Sequence, residues 1–312
     1  MFLEAENVTV TFGRRRVLDD LSMRLQGRST GLLGPNGAGK STFIKALLGF
    51  VPLRRGTIRV LGHDVRRQAM HIRSLVGYMP EHESYIEGLS AVRLLRYLGE
   101  LSGLSPRDAM ERAHESLHYV GLGELRYRPV ETYSLGNQQR VKLAQAIVHG
   151  PKILILDEPT NALDPEGRNE MLRLVRDIGE YSGSHVIMCS HILRDVEYCC
   201  ESVTVLNRGR AILSGVIEEL KKEDIRTYEV RVEGNRDGFE RELVRHGCLT
   251  SQNTQGHLRV QLPEGYGTRY LFEIAQKAGV QLRHFHFKKD SLEDIFVSAL
   301  QESERGHGYA RP

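Results

Sequence analysis

One short stretch of the chain constrains its fold more than any other, because it matches the phosphate-binding pattern G-x-x-x-x-G-K-[ST]. An apolar, strand-like run over residues 29–33 precedes it, and residues 42–50 read as the helix that follows. The pattern therefore predicts a strand, a phosphate-binding loop and a helix in succession. Its residues are Gly34, Pro35, Asn36, Gly37, Ala38, Gly39, Lys40, Ser41 and Thr42.

The chemistry of this loop follows from its residue types. Glycines let successive backbone N–H groups turn toward one point at a helix N-terminus, where the helix dipole also favours an anion. We expect Lys40 to neutralise the β- and γ-phosphates of a nucleoside triphosphate and the Ser41 hydroxyl to ligate Mg²⁺. The alternative is a glycine-rich turn without a ligand.

Composition excludes several classes of protein. Lys and Arg number 43 against 40 Asp and Glu, a net charge of +3, which gives no support for nucleic-acid binding. The four cysteines have no metal-ligand spacing, so we expect them to be reduced. We expect neither a signal peptide nor a membrane span, because no run approaches the roughly 18 apolar residues that a spanning helix needs. Work at a membrane would require another chain to supply the spans.

Acidic residues end a second buried strand. The apolar run 153–156 delivers Asp157 and Glu158, and a further strand over 186–189 delivers His191. Asp157 can hold Mg²⁺ through water, and Glu158 can orient or deprotonate the water that attacks a γ-phosphate, which favours hydrolysis over phosphate transfer. Glu158 could instead only cap the following helix. His191 could sense the γ-phosphate, although a lone histidine is usually structural.

Strands and helices alternate around apolar, parallel-type strands, so the predicted class is α/β. A helical insertion interrupts the β-rich parts at about residues 89–128. Ser105 and Pro106 predict the start of one of its helices, with Asp108 completing a capping box. The preceding helix is predicted to place four leucines on one face: Leu94, Leu95, Leu98 and Leu101.

In their order along the chain, these motifs resemble the nucleotide-binding subunit of an ATP-binding cassette (ABC) transporter. The resemblance covers about residues 3–217 and rests on GPNGAGKST at 34–42, YSLGNQQRV at 133–141, ILILDEPTNALD at 153–164 and SH at 190–191. Pattern alone leaves open whether Phe12 stacks on adenine or packs in the sheet, and the resemblance favours stacking. It further implies that a signature segment reaches an ATP molecule held by a second subunit, with Asp164 at the seam of the dimer. That segment is Ser134, Leu135, Gly136 and Asn137.

Two residues depart from the family pattern. Leu135 stands where the family has glycine, so either its side chain points away from the ATP or that site is weak. Glu81 replaces a common glutamine, and although it could ligate Mg²⁺, a carboxylate cannot donate a hydrogen bond as an amide can. Both variants resemble those of single-cassette subunits that serve exporters with separately encoded permeases.

The resemblance implies a P-loop NTPase cassette that binds ATP and Mg²⁺, forms a homodimer or a heterodimer with a second ABC subunit, and hydrolyses ATP to power an integral-membrane permease, in the direction of export. It implies a cytoplasmic protein, peripheral at the inner face of the cell membrane, with no nucleic-acid partner. The permease would dock after Glu81, up to about Leu101. The alternative function is a regulatory or non-transport soluble ABC ATPase with low turnover.

Beyond the cassette, the pattern of strands and helices follows the order β-α-β-β-α-β, which is ferredoxin-like. The chain is thus predicted to hold an ATP-binding domain at 1–222, with its helical subdomain at about 86–150, then an α+β accessory domain at 223–302 and a disordered tail at 303–312.

Overall fold

The fold is taken from a computed structural model of the chain, which describes residues 1–82, 85–221, 227–252, 257–263, 266–288 and 292–304. The chain divides into two compact units. One consists of Met1–Ile217 together with the chain from Phe296 onward, and the other of Glu218–Ile295. None of the helices in the described ranges is long and apolar enough to cross a membrane.

Strands of the described part of the first unit form two sheets. They are β1 (Leu3–Phe12), β2 (Arg15–Leu25), β3 (Ser29–Leu33), β4 (Arg55–Val60), β5 (His63–Asp64), β6 (Val76–Met79), β7 (Ile153–Asp157), β8 (His185–Ser190), β9 (Ser202–Asn207) and β10 (Arg210–Val216). An antiparallel sheet has the order β2-β1-β4-β5, and a mixed sheet has the order β10-β9-β3-β8-β7-β6. In the mixed sheet β9, β3, β8, β7 and β6 run parallel, and β10 pairs antiparallel to β9.

Parallel strands end at the same edge of a sheet, and this edge carries the predicted motifs. Leu33, the last residue of β3, pairs with Ser190 at the end of β8, and Asp157 at the end of β7 pairs with Cys189. Residues 153–156 of β7 are fully buried, as predicted for a strand covered on both faces. Each such aliphatic side chain contributes about 1.5–3 kcal/mol by its burial. The sheet core therefore fixes where the polar residues at its edge lie.

The described part of the first unit also contains helices. They are α1 (Lys40–Leu47), α2 (Val65–Leu75), α3 (Ala91–Leu101), α4 (Pro106–Tyr119), α5 (Leu135–Ile147), α6 (Pro165–Tyr181) and α7 (Leu193–Cys199), and the short α8 (Ile217–Leu220) begins at the division between the units. Short 3₁₀ turns at Gly123–Tyr127 and Val130–Thr132 separate α4 from α5.

The structure confirms most of the predicted helical insertion. The Ser105 hydroxyl caps α4 by accepting a hydrogen bond from the Asp108 amide at 3.1 Å. The four leucines predicted on one face all lie in α3, where Leu94 and Leu95 are buried and Leu101 is 67% exposed. Leu101 is the last residue of α3.

The second unit has the predicted order β-α-β-β-α-β. Its elements are β11 (Thr227–Glu233), α9 (Arg236–Arg245), β12 (Leu249–Gln252), β13 (Leu258–Gln261), α10 (Thr268–Lys277) and β14 (Gln281–Lys288). The strands form an antiparallel sheet in the order β12-β13-β11-β14. Phe239 of α9 and Leu271 of α10 are fully buried in a core with Val230 and Val260. The fold-class prediction, an α/β cassette with a small α+β domain, is confirmed.

The last helix, α11 (Leu292–Glu304), crosses the division between the units. In the first unit the Asn207 amide donates a hydrogen bond to the Ser303 hydroxyl at 3.4 Å. Most of the predicted disordered tail, residues 305–312, lies outside the described residues. All four cysteines are free and buried, as predicted from their spacing.

Candidate active site

The phosphate-binding loop lies between the end of β3 and the start of α1, as its pattern predicts. The Lys40 ammonium donates a hydrogen bond to the Gly34 carbonyl oxygen at 2.5 Å, and Lys40 is only 8% exposed. The ammonium therefore lies against the backbone of the loop that it is expected to serve. Ser41 is the second residue of α1, so its hydroxyl lies at a helix N-terminus, where an anion is favoured.

Two glycines of the loop leave no room for a side chain. A Cβ on Gly34 would lie 2.4 Å from the Leu206 carbonyl oxygen, because β9 runs directly beside the loop. Gly39 precedes α1 with φ +110°, and a Cβ there would lie 2.8 Å from Cδ2 of Leu18 in β2. The neighbouring strands thus approach the loop so closely that a Cβ has no room at these two positions, and they restrict the path of the loop.

Asp157 lies at the end of β7, 4% exposed, and faces both basic and acidic neighbours. Burial raises the pKa of Asp157, and the charges of Glu81 and Glu158 raise it further, whereas a hydrogen bond from Ser41 and the charge of Lys40 oppose the rise. A divalent cation bound beside Asp157 would offset the repulsion between these carboxylates.

The residues present fit Mg²⁺ rather than a metal held by protein alone. Within the described residues no three His, Cys, Asp or Glu side chains come together as a metal site. Mg²⁺ keeps several waters and usually takes one or two protein ligands plus phosphate oxygens. Ser41 and Asp157, which are close enough for Ser41 to lower the pKa of Asp157, provide such a pair of oxygens. Glu81 is exposed just beyond β6 and is close enough for its charge to act on Asp157.

Glu158 and His191 contact each other across adjacent strands. Nδ1 of His191 lies 2.9 Å from Oε2 of Glu158, whose side chain is 8% exposed, while that of His191 is 54% exposed. This hydrogen bond occupies one ring nitrogen and leaves Nε2 for another partner. The sequence predicted both residues at this edge but not their contact.

The backbone at Glu158 is itself unusual. Its φ is +51°, a left-handed conformation that costs a non-glycine residue about 1–3 kcal/mol. The Glu158 amide donates to the Cys189 carbonyl oxygen at 2.9 Å, and its own carbonyl accepts from the Asn161 amide at 3.1 Å. These bonds hold the carboxylate at the sheet edge, in the orientation that reaches His191.

Phe12 ends β1 beside the turn to β2, where it pairs with Arg15. Its side chain is 51% exposed and is not part of the core under this sheet. An aromatic ring that is exposed in this way is available to stack on a base. Of the two alternatives left by the pattern, the exposure of Phe12 supports stacking over packing in the sheet.

The signature segment starts α5, with Ser134 as its N-cap. Ser134 lines a cleft of about 270 Å³ together with residues of α6 and its cap, and the phosphate-loop residues are not among its lining residues. The lining residues are Ser134, Gly136, Asn137, Arg140, Asp164, Glu166, Gly167, Glu170 and Met171. Leu135 is 57% exposed and does not line the cleft. The structure thus brings Asp164 next to the signature segment.

Some contacts of the site were missed by sequence reasoning. The Tyr78 hydroxyl donates to Oδ2 of Asp157 at 3.5 Å, and the buried Lys142 ammonium donates to the Glu81 carbonyl oxygen at 2.8 Å. The Thr160 hydroxyl donates to the buried carboxylate of Asp195 at 2.6 Å. Only Thr160 carried a signal in the sequence, because it stands two residues after the acidic pair.

Comparisons with known proteins identify relatives of this chain. The family described as ABC transporter matches residues 18–161, and the C-terminal domain of ATP-binding proteins like DrrA1-3 matches residues 215–300. The ABC transporter ATP-binding protein YxlF of Bacillus subtilis (strain 168) is 32% identical over 300 residues, covering 96% of this chain and 99% of the relative. The daunorubicin resistance ATP-binding protein DrrA3 of Streptomyces coeruleorubidus is 36% identical over 298 residues, 94% of each chain.

Solved structures share the fold of the first unit. The structure of cbiO1 from Clostridium perfringens, described as part of the ABC transporter complex cbiONQ, superposes with a TM-score of 0.65 at 27% sequence identity. The match covers 71% of this chain and 91% of that one.

Proposed function

The chain belongs to the ABC transporter family of ATP-binding proteins, and on that premise we propose that it hydrolyses ATP to power a separate transmembrane permease. It is an ATPase of the cassette type. Two copies, or one copy and a related ABC subunit, would close around two ATP molecules. The hydrogen bond between Glu158 and His191, at the edge that also carries Asp157, is the observation that supports the hydrolytic part most directly.

The phosphates of ATP would lie on the loop 34–42. Its backbone N–H groups and Lys40 oppose the negative charge of the β- and γ-phosphates, and Phe12 stacks on the adenine. Ser41 and Asp157 would hold Mg²⁺, with Glu81 as a further candidate ligand. The ion, when bound, neutralises charge that develops on the phosphate oxygens.

Glu158 would orient and deprotonate the attacking water. Its carboxylate, buried at the sheet edge, is held by the His191 imidazole, whose Nε2 is then left for the γ-phosphate. Positioned acid–base groups of this kind contribute about 10²–10⁴-fold to a rate. His191 would thereby report whether the γ-phosphate is present.

Dimerisation would complete each ATP site. The cleft lined by Ser134, Gly136, Asn137 and Asp164 contains no phosphate-loop residue, so it can serve ATP held by another subunit. ATP that binds the closed dimer better than the open form shifts that equilibrium, and hydrolysis removes the charge that both halves contact.

The permease would dock on the segment after Glu81. Three of its large apolar side chains are exposed: Ile86 at 46%, Tyr97 at 47% and Leu101 at 67%. Such a surface is typical of an interaction site, and it would hold the protein at the inner face of the cell membrane. Export is proposed because DrrA3, named for daunorubicin resistance, is similar over 94% of both chains.

Replacing Glu158 by glutamine tests hydrolysis and dimerisation together. We expect Glu158→Gln to lower ATP turnover at least about 100-fold, to retain bound ATP, and to form a stable dimer in saturating Mg-ATP, measured by light scattering after gel filtration. Lys40→Ala is the matched control and should neither bind ATP nor dimerise. A Glu158→Gln protein that stays monomeric while wild type hydrolyses ATP would reject the shared site.

The rate of ATP hydrolysis by the wild-type protein is enough to distinguish the proposed function from the alternative, a regulatory cassette with low turnover. If hydrolysis is absent under saturating Mg-ATP, the regulatory alternative is favoured.

The docking proposal has its own test. Leu101→Glu should reduce the recovery of a multi-span protein with the tagged subunit from detergent-solubilised membranes. Tyr181→Glu, at a side chain 80% exposed on α6, should leave that recovery unchanged.

A further inference from the structure

A buried carboxylate joins three segments that surround the proposed active site. Asp195 is 1% exposed in α7. Its Oδ2 accepts a hydrogen bond from the Thr160 hydroxyl at 2.6 Å, and its Oδ1 accepts from Nε and Nη2 of Arg168 at 2.9 Å and 2.5 Å. A carboxylate is kept in such a place only when its charge and lone pairs are satisfied, which these three bonds achieve.

Each partner of Asp195 lies next to a residue of the site. Thr160 stands two residues after Glu158. Arg168 is in the first turn of α6, whose N-cap is Asp164, and its own amide donates to the Asp164 carbonyl oxygen at 2.9 Å. Asp195 itself lies in the first turn of α7, four residues after His191. A single side chain thus connects the elements that carry Glu158, Asp164 and His191.

The helix that carries Asp195 is firmly placed. Val196 packs so closely on β3 that a Cβ on Gly31 would lie 2.1 Å from its Cγ1. At the other end of α7, the Cys199 thiol donates to the Leu172 carbonyl oxygen of α6 at 3.4 Å. The two carboxylate oxygens of Asp195 therefore have a fixed position. Their hydrogen bonds in turn fix the positions of Thr160 and Arg168.

The turn that contains Thr160, which is hydrogen-bonded to Asp195, has an unfavourable backbone conformation. Glu158 and Ala162 flank Thr160, and both adopt left-handed backbone conformations, with φ +51° and +59°. Such conformations persist where the surroundings over-determine them. Thr160 is 3% exposed, so its hydroxyl has no solvent to replace Asp195 as an acceptor.

We propose that Asp195 is a positioning residue for ATP hydrolysis, which keeps the turn behind Glu158 and the start of α6 in one fixed arrangement beside His191. This inference rests on the proposed function. It assigns no contact with ATP to Asp195. Its loss lowers the rate of the chemical step because Glu158 is no longer held at its working position, while the phosphate loop that binds ATP is unaffected.

The test removes one hydroxyl and keeps the shape of the side chain. Thr160→Val should lower kcat about tenfold or more with the KM for ATP within about twofold, since small misplacements of reacting groups are costly. Thr160→Ser, which keeps the hydroxyl, should restore kcat to within about twofold of wild type. Arg168→Gln, at a side chain 32% exposed and so tolerant of change, should also lower kcat.

A matched control separates positioning from general loss of stability. Thr30 is likewise 1% exposed, and its hydroxyl lies 2.9 Å from that of Ser202, at the start of β3 rather than at the site edge. Thr30→Val should lower the melting temperature as much as Thr160→Val does, and leave kcat unchanged.

Several results overturn the proposal. The proposal is wrong if Thr160→Val and Arg168→Gln both keep the wild-type kcat. It is also wrong if these substitutions raise the KM for ATP and leave kcat unchanged. An equal loss of kcat in Thr30→Val would show that the effect is only structural. Absence of turnover in wild type itself would reject the proposed hydrolysis, and the role of Asp195 with it.

Discussion

The Lys142 ammonium nitrogen lies 2.8 Å from the main-chain oxygen of Glu81 and donates a hydrogen bond to it. Lys142 is 6% exposed in the middle of α5, the helix that begins at Ser134, whereas Glu81 follows β6 at the sheet edge. This contact ties the signature helix to the loop that carries a candidate Mg²⁺ ligand. Any shift of that loop would be transmitted to α5 directly.

Replacing Lys142 by methionine should uncouple the two elements. Methionine is similar in length but cannot donate a hydrogen bond to the Glu81 carbonyl oxygen, so we expect the free energy of unfolding to fall by about 1–3 kcal/mol. ATP turnover should fall, because the Ser134 end of α5 loses its fixed position relative to Glu81. Steady-state ATPase assays measure this, with the exposed Lys152→Met as control. Equal turnover of Lys142→Met and wild type would contradict the coupling.

Local patterns predicted the parts of the site that lie within one stretch of sequence. The phosphate loop needs glycines and a lysine at fixed spacing, and the acidic pair needs a buried strand before it, so both are visible in the chain. The Ser105 cap of α4 is equally local. Helical spacing also identified the face that carries Leu94 and Leu101, but it does not record that Leu94 is buried and Leu101 is exposed.

Contacts between distant segments could not be predicted in this way. Thr160 and Asp195 are 35 residues apart, and Lys142 and Glu81 are 61 apart. Their pairing depends on how β7, β8 and α5 pack, and no spacing rule records it. The cleft that joins Ser134 to Asp164 is of the same kind, although the family resemblance had assigned both residues to the dimer.

Acid should destabilise the cassette through His149. Nε2 of His149 donates to the Val76 carbonyl oxygen at 3.3 Å, and burial, with a smaller contribution from the charge of Arg112, lowers the pKa of His149 below 6.5 despite that hydrogen bond. The unfolded chain therefore takes up this proton at a higher pH than the folded protein does. Stability is present above pH 6.5 and is lost as the pH falls through the lowered pKa.

His149→Gln keeps a hydrogen-bond donor but cannot titrate. We expect its melting temperature to fall less than that of wild type between about pH 7.5 and about pH 5.5, measured by scanning calorimetry. His118, exposed on α4, supplies the control variant His118→Gln, which should behave as wild type. A wild type and a His149→Gln protein with the same acid sensitivity would show that His149 is not responsible.

Leu135 should not impair the site, although it replaces a glycine of the family pattern. It is exposed and absent from the lining of the signature cleft. Leu135→Gly should cost at most about 1 kcal/mol of stability, because glycine has a lower helix propensity than leucine. ATP turnover should be unchanged. Gly136→Leu, by contrast, places a side chain in the cleft and should abolish turnover. The pair of ATPase rates decides between a displaced leucine and a weak site.

Mixing two inactive variants tests whether each ATP site is shared between subunits. In a head-to-tail dimer one site combines Lys40 of one copy with Ser134 of the other. A dimer of Lys40→Ala and Ser134→Arg therefore has one site with both defects and one site with none. Each variant alone should be inactive, because both of its sites carry a defect. Each mixed dimer has one intact site of two, so part of the wild-type turnover, at most about half, should return. A mixture as inactive as its components would mean that Lys40 and Ser134 do not meet across a dimer.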